Sequence, residues 1–388
     1  MKPKLIRLTT VPGSLGGLLR GQLKFMTNHF EVIGISSSGN DVRSLAEIGE
    51  QESVRVIPVE MTRKITLLKD LLAVWKLYKI FKNEKPTIVH THTPKAGTVG
   101  MIAAYFAKVP YRLHTVAGLP LLEVTGMKRN LLNTVEKITY RFATEIYPNS
   151  FGLKEVIIQQ KYTKEDKLKV IAQGSSNGID TDHFNPTLYD EVNKTELRNR
   201  LNIKPTDYVF IFVGRIVSDK GINELINTFR ELVVKFPKIK LLLVGAYEKD
   251  LDPIQKENEN YIEQSESIIT TGWQNDVRPF FSISNSLVFP SYREGFPNVV
   301  MQACSMGIPS IVTNINGCNE LIKHGENGLI IPTKDSEKLK LAMIEIMNKN
   351  ISQVSNEIRQ FMIDNYSRKF IHNEILKNYT SLLKRDKV

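Results

Sequence analysis

The feature that most constrains this chain is an alternation that runs through nearly all of it. Short apolar runs of strand length give way to longer amphipathic runs of helix length. In the first half, strands are expected over 4–11, 31–36, 54–59, 87–92, 111–116 and 145–149, and helices over 18–28, 66–82, 96–107 and 128–143. Alternation of this kind builds a parallel sheet with helices on both faces, and such sheets bind ligands outside the carboxyl ends of their strands. A second series follows, with strands over 208–213, 240–244, 267–271, 287–290, 310–313 and 328–331 and helices over 222–236 and 298–306. Between the two lies Gly174-Ser-Ser-Asn-Gly-Ile-Asp-Thr-Asp-His-Phe-Asn-Pro186, rich in turn formers, which reads as the connection. The division expected is therefore 1–173, a linker at 174–186, and 187–366, with helices over the tail 336–384.

Composition narrows the class of protein. At 388 residues the chain exceeds one small core and suits two domains; 41% hydrophobic and 24% charged residues make it globular. There is no run of about 18 apolar residues of the kind that spans a bilayer. The start Met1-Lys-Pro-Lys-Leu-Ile-Arg-Leu lacks a signal-peptide core. The two cysteines, Cys304 and Cys318, have no metal-ligand spacing and suit a reducing compartment, so the expected location is cytoplasmic. A net charge of +11 favours anionic partners.

Three stretches carry residues suited to chemistry. Pro12-Gly-Ser-Leu-Gly-Gly17 after the first strand reads as a glycine-rich turn where backbone can approach a ligand closely. It is neither Gly-x-Gly-x-x-Gly nor a P-loop, which argues against a dinucleotide enzyme and a P-loop ATPase. Gly214-Arg215, four further residues and Lys220-Gly221 put two cations beyond a strand end near a helix start, where they can hold phosphate. In Phe289-Pro-Ser-Tyr-Arg-Glu-Gly-Phe-Pro-Asn-Val-Val-Met-Gln-Ala, Glu294 occupies a loop past a strand, and Asn298 and Val299 open a helix whose free N–H groups favour an anion. A hydroxyl-binding carboxylate beside a phosphate-binding helix end is what a nucleotide-sugar site needs.

These stretches resemble the donor-site signature of the retaining family-4 glycosyltransferases of the GT-B fold, and the resemblance covers nearly the whole chain. It implies two Rossmann-like, doubly wound α/β domains facing each other across a cleft, with the last helix, about 367–388, packed back on the N-terminal domain. It implies a hexosyltransferase-type enzyme with no cofactor and no essential metal. Its substrates would be a nucleotide-sugar donor, with UDP favoured by family frequency, and a glycan or polyprenyl-diphosphate-linked acceptor of bacterial capsule or O-antigen synthesis. By resemblance, Arg215 and Lys220 hold the diphosphate and Glu294 contacts the donor sugar. Gly295, Phe296, Asn298 and Val299 line the donor site, as do Gly16 and Gly17 from the first domain. The signature places a second Glu eight positions after the first; here that position is Gln302, which can still accept and donate hydrogen bonds to ribose hydroxyls but lacks the charge.

On the acceptor side the candidates are Gly13, His92 and Lys95. His90, His92 and His114 close neighbouring strands and so could converge. Many relatives have His directly before a Gly that here follows Ala117, so His114 is the substitute catalytic candidate. The basic run from Lys64 to Lys85, with Leu67, Leu68, Leu71, Leu72 and Trp75, admits two readings: a helix packed on the sheet with lysines in water, or a peripheral contact with an anionic membrane. How retention is achieved stays open, with same-face displacement as the working hypothesis. A nucleotide-sugar 2-epimerase of the same fold is the alternative activity. A basic nucleic-acid binder is the alternative of another class; no aromatic-interleaved basic stripe supports it.

Overall fold

The structure, a computed structural model, describes residues 2–39, 44–62, 66–119, 121, 125–248, 252–348 and 351–385. The chain forms two compact units, Met1–Gly178 with Lys369–Val388, and Ile179–Arg368. Lys64 lies outside the described residues.

The first unit is built on six parallel strands: β1 (Lys4–Leu8), β2 (Glu31–Ser36), β3 (Arg55–Pro58), β4 (Ile88–Thr91), β5 (Tyr111–Val116) and β6 (Glu145–Pro148). Their order in the sheet is β3-β2-β1-β4-β5-β6, so the winding reverses between β1 and β4. Apolar side chains of β1, β2 and β4 are buried on both faces, which explains why these strands read as continuous apolar runs. Helices Leu67–Glu84, Pro94–Phe106 and Gly126–Phe142 make the crossovers from β3 through β6. The glycine-rich stretch is not a turn before a helix but a helix itself, Pro12–Leu18, followed by a shorter one, Gln22–Met26. Pro12 stands at its first turn, where a missing N–H costs nothing and the fixed φ suits a helix. Gly16 packs closely: a Cβ there would sit 3.0 Å from Ile48 Cγ1.

The second unit repeats the plan with β7 (Tyr208–Val213), β8 (Ile239–Val244), β9 (Ile268–Gly272), β10 (Ser286–Phe289), β11 (Ser310–Thr313) and β12 (Gly328–Ile331). The order β12-β11-β10-β7-β8-β9 puts its reversal between β7 and β10. Two parallel, doubly wound α/β units in one chain are the GT-B architecture.

The chain passes from the first unit to the second at Gly178–Ile179 and returns at Arg368–Lys369. At the passage the Ile179 N–H donates to Tyr366 O at 2.8 Å and the Arg368 N–H donates to Ile179 O at 2.7 Å. Arg368 also pairs with Asp180 at 2.9 Å. The last helix, Arg368–Arg385, then buries Ile371, Ile375, Tyr379 and Leu382 in the first unit's core.

Candidate active site

In the second unit the loops after β7 and β10 meet at the winding reversal, the position where open α/β sheets leave a crevice. After β7 the chain makes a single tight turn, Ser218–Lys220, and enters the helix Ile222–Lys235 through Gly221. Gly221 has φ 71°, and a Cβ there would lie 2.2 Å from Pro290 O, so only glycine lets the turn sit against the loop after β10. That closeness brings Lys220 Nζ to 2.5 Å from Glu294 Oε1 and 3.4 Å from Ser291 Oγ. The loops are also tied by Tyr292 N–H donating to Asp219 O at 2.9 Å, by Arg293 pairing with Asp219 at 2.8 Å and by Tyr292 OH donating to Glu224 at 2.6 Å. Burial first, and then this bond to Glu224, raise the Tyr292 hydroxyl well above its ordinary range, so it stays a donor.

The loop after β11 closes the site from the other side. Thr313 Oγ1 donates to Ser291 O, and Asn316 Nδ2 donates to Gly295 O at 2.8 Å. Gly317 at φ 74° allows this approach, since a Cβ would lie 2.4 Å from Gly295 O. Behind it Cys318 is buried; burial, and then the Glu294 carboxylate, push its thiol well above the usual range, which makes it inert.

The helix Asn298–Ser305 begins after Pro297 with no side chain capping it, and the helix Ile222–Lys235 is likewise uncapped by side chains. The first-turn N–H groups of any helix lack an intrahelical partner, and here no N-cap side chain takes them up, so they point positive potential outward. Lys220, Glu294, Asn298 and Val299 thus belong to one loop cluster. Phe296 packs its ring on Tyr366 at 5.6 Å and anchors the loop. Gln302 is half-buried about one turn into the helix, and its side chain makes no hydrogen bond to another described residue. Arg215 pairs with Glu248 at 2.6 Å, both partly exposed. Such a pair is weak enough to exchange for a bound anion.

In the first unit the corresponding reversal joins the loops after β1 and β4. Thr93 Oγ1 accepts from the Thr10 N–H at 3.0 Å and lies 2.6 Å from Thr10 Oγ1. Gly13 and Gly17 lie one helical turn apart with open space where their Cβ atoms would be. Lys95 is engaged by Asp70 of the helix Leu67–Glu84.

The three histidines do not converge, because side chains along a strand alternate between faces. His90 and His92 share one face, their rings 4.1 Å apart, and His90 bonds Tyr379 OH at 2.5 Å and Thr115 Oγ1 at 2.8 Å. His114 lies on the other face, against Thr91 Oγ1 at 2.7 Å and under Gly97. It is buried among helices, and burial lowers its pKa to about 4, so it is a neutral packed ring rather than a group at the strand-end crevice. His92 keeps both ring nitrogens without a partner and lines a small cavity with Asn149 and Ser176, whose Oδ1 and Oγ are equally unpartnered.

Sequence reasoning did not single out Ser291, Thr313, Asn316 or Glu248, whose roles depend on loops that meet only in the fold. It also passed over Arg7, which is fully buried in β1 and donates to Tyr379 OH at 2.7 Å and to Gln22 Oε1. The available signal was a charged residue inside an otherwise apolar parallel strand.

Residues 193–369 match the family described as glycosyl transferases group 1, and residues 21–150 match glycosyl transferase 4-like. The chain is 34% identical, over 98% of both chains, to the capsular polysaccharide biosynthesis glycosyltransferase CapM of Staphylococcus aureus. It is 30% identical, over 79% of this chain and 78% of the other, to an Escherichia coli UDP-Gal:alpha-D-GlcNAc-diphosphoundecaprenol alpha-1,3-galactosyltransferase. Among solved structures, Anabaena HepE in complex with UDP and glucose superposes with a TM-score of 0.78 at 18% identity, covering 98% of this chain and 100% of that one. Family matches to both units, together with relatives that match the chain nearly end to end, lead to one conclusion: this chain belongs to the group 1, family-4-type glycosyltransferases with the GT-B fold.

Proposed function

We propose that the protein transfers a sugar, with retention at the anomeric carbon, from a UDP-sugar to a hydroxyl of a polyprenyl-diphosphate-linked glycan. The step would belong to bacterial surface polysaccharide synthesis at the cytoplasmic face of the membrane. The observation that carries this reading is the Lys220–Glu294 pair set among the uncapped starts of two helices at the second unit's winding reversal. Lys220, with Arg215 released from Glu248, binds the donor diphosphate, and the N–H groups at Asn298 and Val299 add to the positive field. Glu294 accepts from hydroxyls of the donor sugar, and Gln302 bonds the ribose. The Escherichia coli relative, named for a UDP-sugar donor and a diphosphoundecaprenol-linked acceptor, supports the substrate classes, and CapM, named for capsular polysaccharide biosynthesis, supports the process.

In the step proposed, the bond from the anomeric carbon to the diphosphate oxygen breaks and the acceptor oxygen bonds that carbon on the same face. The acceptor's proton passes to the departing diphosphate oxygen. Charge grows on that oxygen as the bond breaks, so Lys220, Arg215 and the helix N–H groups stabilise the transition state more than the ground state. They are proposed to do this without an essential metal ion.

The test is a screen of UDP-sugars with a lipid-diphosphate-linked monosaccharide acceptor, read by mass spectrometry with and without EDTA. The expected result is an acceptor heavier by one sugar, unchanged by EDTA, with the anomeric configuration of the donor. An isomerised UDP-sugar formed without acceptor would establish the epimerase instead.

A further inference from the structure

The helix Leu67–Glu84 of the first unit carries apolar residues on two faces, and only one of them is packed. Ala73, Leu77 and Phe81 are buried against the core. On the opposite side Leu67 is 77% exposed, Leu68 80%, Leu71 65%, Leu72 58% and Trp75 53%. At about 100° per residue these five fall within an arc of about 140° that faces away from the packed side. The arc continues toward the helix end as Lys79 and Lys82, both exposed, and Lys69 and Lys76 flank it. Lys79 Nζ lies 3.6 Å from the centre of the Trp75 ring.

The charges on this helix are arranged with one sign outward. Its acidic residues are both engaged elsewhere: Asp70 with Lys95, and Glu84 with Lys4 at 2.7 Å and Arg55 at 2.6 Å. Among the described residues no carboxylate forms an ion pair with Lys69, Lys76, Lys79 or Lys82. The helix Gly126–Phe142, on the other side of Pro94–Phe106, repeats the theme: Met127, Leu131 and Ile138 are exposed on one stripe beside exposed Lys128, Lys137 and Arg141.

An exposed run of four leucines and a tryptophan is larger than a soluble surface ordinarily shows and calls for an occupant. A protein partner would ask for acidic side chains opposite the lysines at fixed positions. A lipid surface asks only for apolar side chains to enter the acyl boundary, an aromatic ring at the headgroup level and cations around them. Those three requirements are met here along a single helix. We propose that this strip docks the enzyme on an anionic lipid bilayer, with Leu67, Leu68, Leu71, Leu72 and Trp75 inserted and the lysines on headgroup phosphates. The proposal deepens the reading of a lipid-linked acceptor, because it holds the first unit at the surface where such an acceptor resides, yet it is measured without any acceptor.

The test uses the full chain carrying Trp273→Phe, so that Trp75 is the sole tryptophan. Its emission and its co-sedimentation are followed with vesicles of phosphatidylglycerol and phosphatidylcholine, and with phosphatidylcholine alone. With the anionic vesicles the emission should move to shorter wavelength and the protein should pellet; phosphatidylcholine alone should bind at least tenfold less. Each lysine at an anionic surface is worth about fivefold in affinity, so Lys76→Glu/Lys79→Glu/Lys82→Glu should weaken binding by at least 100-fold. Leu68→Glu/Leu71→Glu should abolish the emission shift. Both variants alter exposed positions and should keep the wild-type melting temperature and the wild-type stabilisation by UDP. A UDP response lost in the wild type would refute the donor reading and leave this one standing. Unchanged Trp75 emission with the protein left in the supernatant would overturn the proposal. A vesicle-free dimer that Leu68→Glu/Leu71→Glu dissociates would assign the strip to a second copy of the chain and overturn it too.

Discussion

The two winding reversals share a topology and differ in chemistry. In the second unit, loops after adjacent strands are joined by charge: Lys220 with Glu294, Arg293 with Asp219, Arg215 with Glu248. In the first unit the loops are joined by hydroxyls, Thr10 with Thr93, and the face below them holds neutral histidines beside a buried arginine. Burial, and then the neighbouring Arg7, hold the His90 ring far below its ordinary pKa; for His92 the causes are burial, then His90, then Arg7. A site with exchangeable ion pairs is ready to trade a carboxylate for a phosphate. A site of hydroxyls and neutral rings suits a partner recognised by hydrogen bonds. The same βα framework thus separates two tasks by which side chains stand at the strand ends.

The largest effect expected from breaking this contrast is on turnover. Lys220→Ala removes a cation proposed to face the departing diphosphate, and a donor of that kind is worth about 3–4 kcal/mol of barrier. The variant should lose at least 100-fold in kcat with little change in melting temperature. Turnover near wild type would refute the assignment.

The first unit should show its character in its response to acid. His114 has a folded pKa of about 4, below its unfolded value of 6.5, because it is buried. Above pH 6.5 neither state carries the proton. As pH falls from 6.5 to 4 the unfolded state takes it up first, so stability declines across that window and levels off below it. The shift corresponds to about 3 kcal/mol. Chemical denaturation at a series of pH values should show His114→Asn with a flatter profile between pH 6.5 and 4. An identical slope would show that His114 does not carry the effect.

A smaller effect is expected where the last helix meets the first unit. Tyr379→Phe removes one buried hydrogen-bond partner from each of Arg7 and His90, leaving Arg7 with Gln22 and His90 with Thr115, which costs about 1–3 kcal/mol. Denaturant titration should find that loss. An unchanged midpoint would mean that the hydroxyl is not what satisfies Arg7. The smallest effect concerns Gln302. Restoring the family's Glu should strengthen a ribose hydroxyl bond by about 1 kcal/mol, roughly fivefold in UDP affinity. Weaker binding would show that Gln302 serves another contact.

Much of this was legible from the chain alone, for reasons that differ by residue. Strand and helix periods are local, so all six strands of each sheet were expected near their observed positions. Arg215, Lys220 and Glu294 were singled out through short spacings that resemble a family signature. What escaped depended on direction or on distant partners. The period of two in a strand, applied to His90, Thr91 and His92 across from His114, would have separated the histidines onto two faces. The period of 3.6, applied to Leu67 through Trp75, would have shown a second apolar face that cannot pack. The pairs Arg215–Glu248 and Lys95–Asp70 join residues 33 and 25 positions apart, and no local pattern marks them.

The central claim is that nucleotide binding belongs to the charged reversal of the second unit. Calorimetric titration of UDP into wild type, Lys220→Ala and His92→Ala tests it most directly. The account predicts at least tenfold weaker binding in Lys220→Ala and wild-type affinity in His92→Ala. Full affinity in Lys220→Ala, or its loss in His92→Ala, would contradict it.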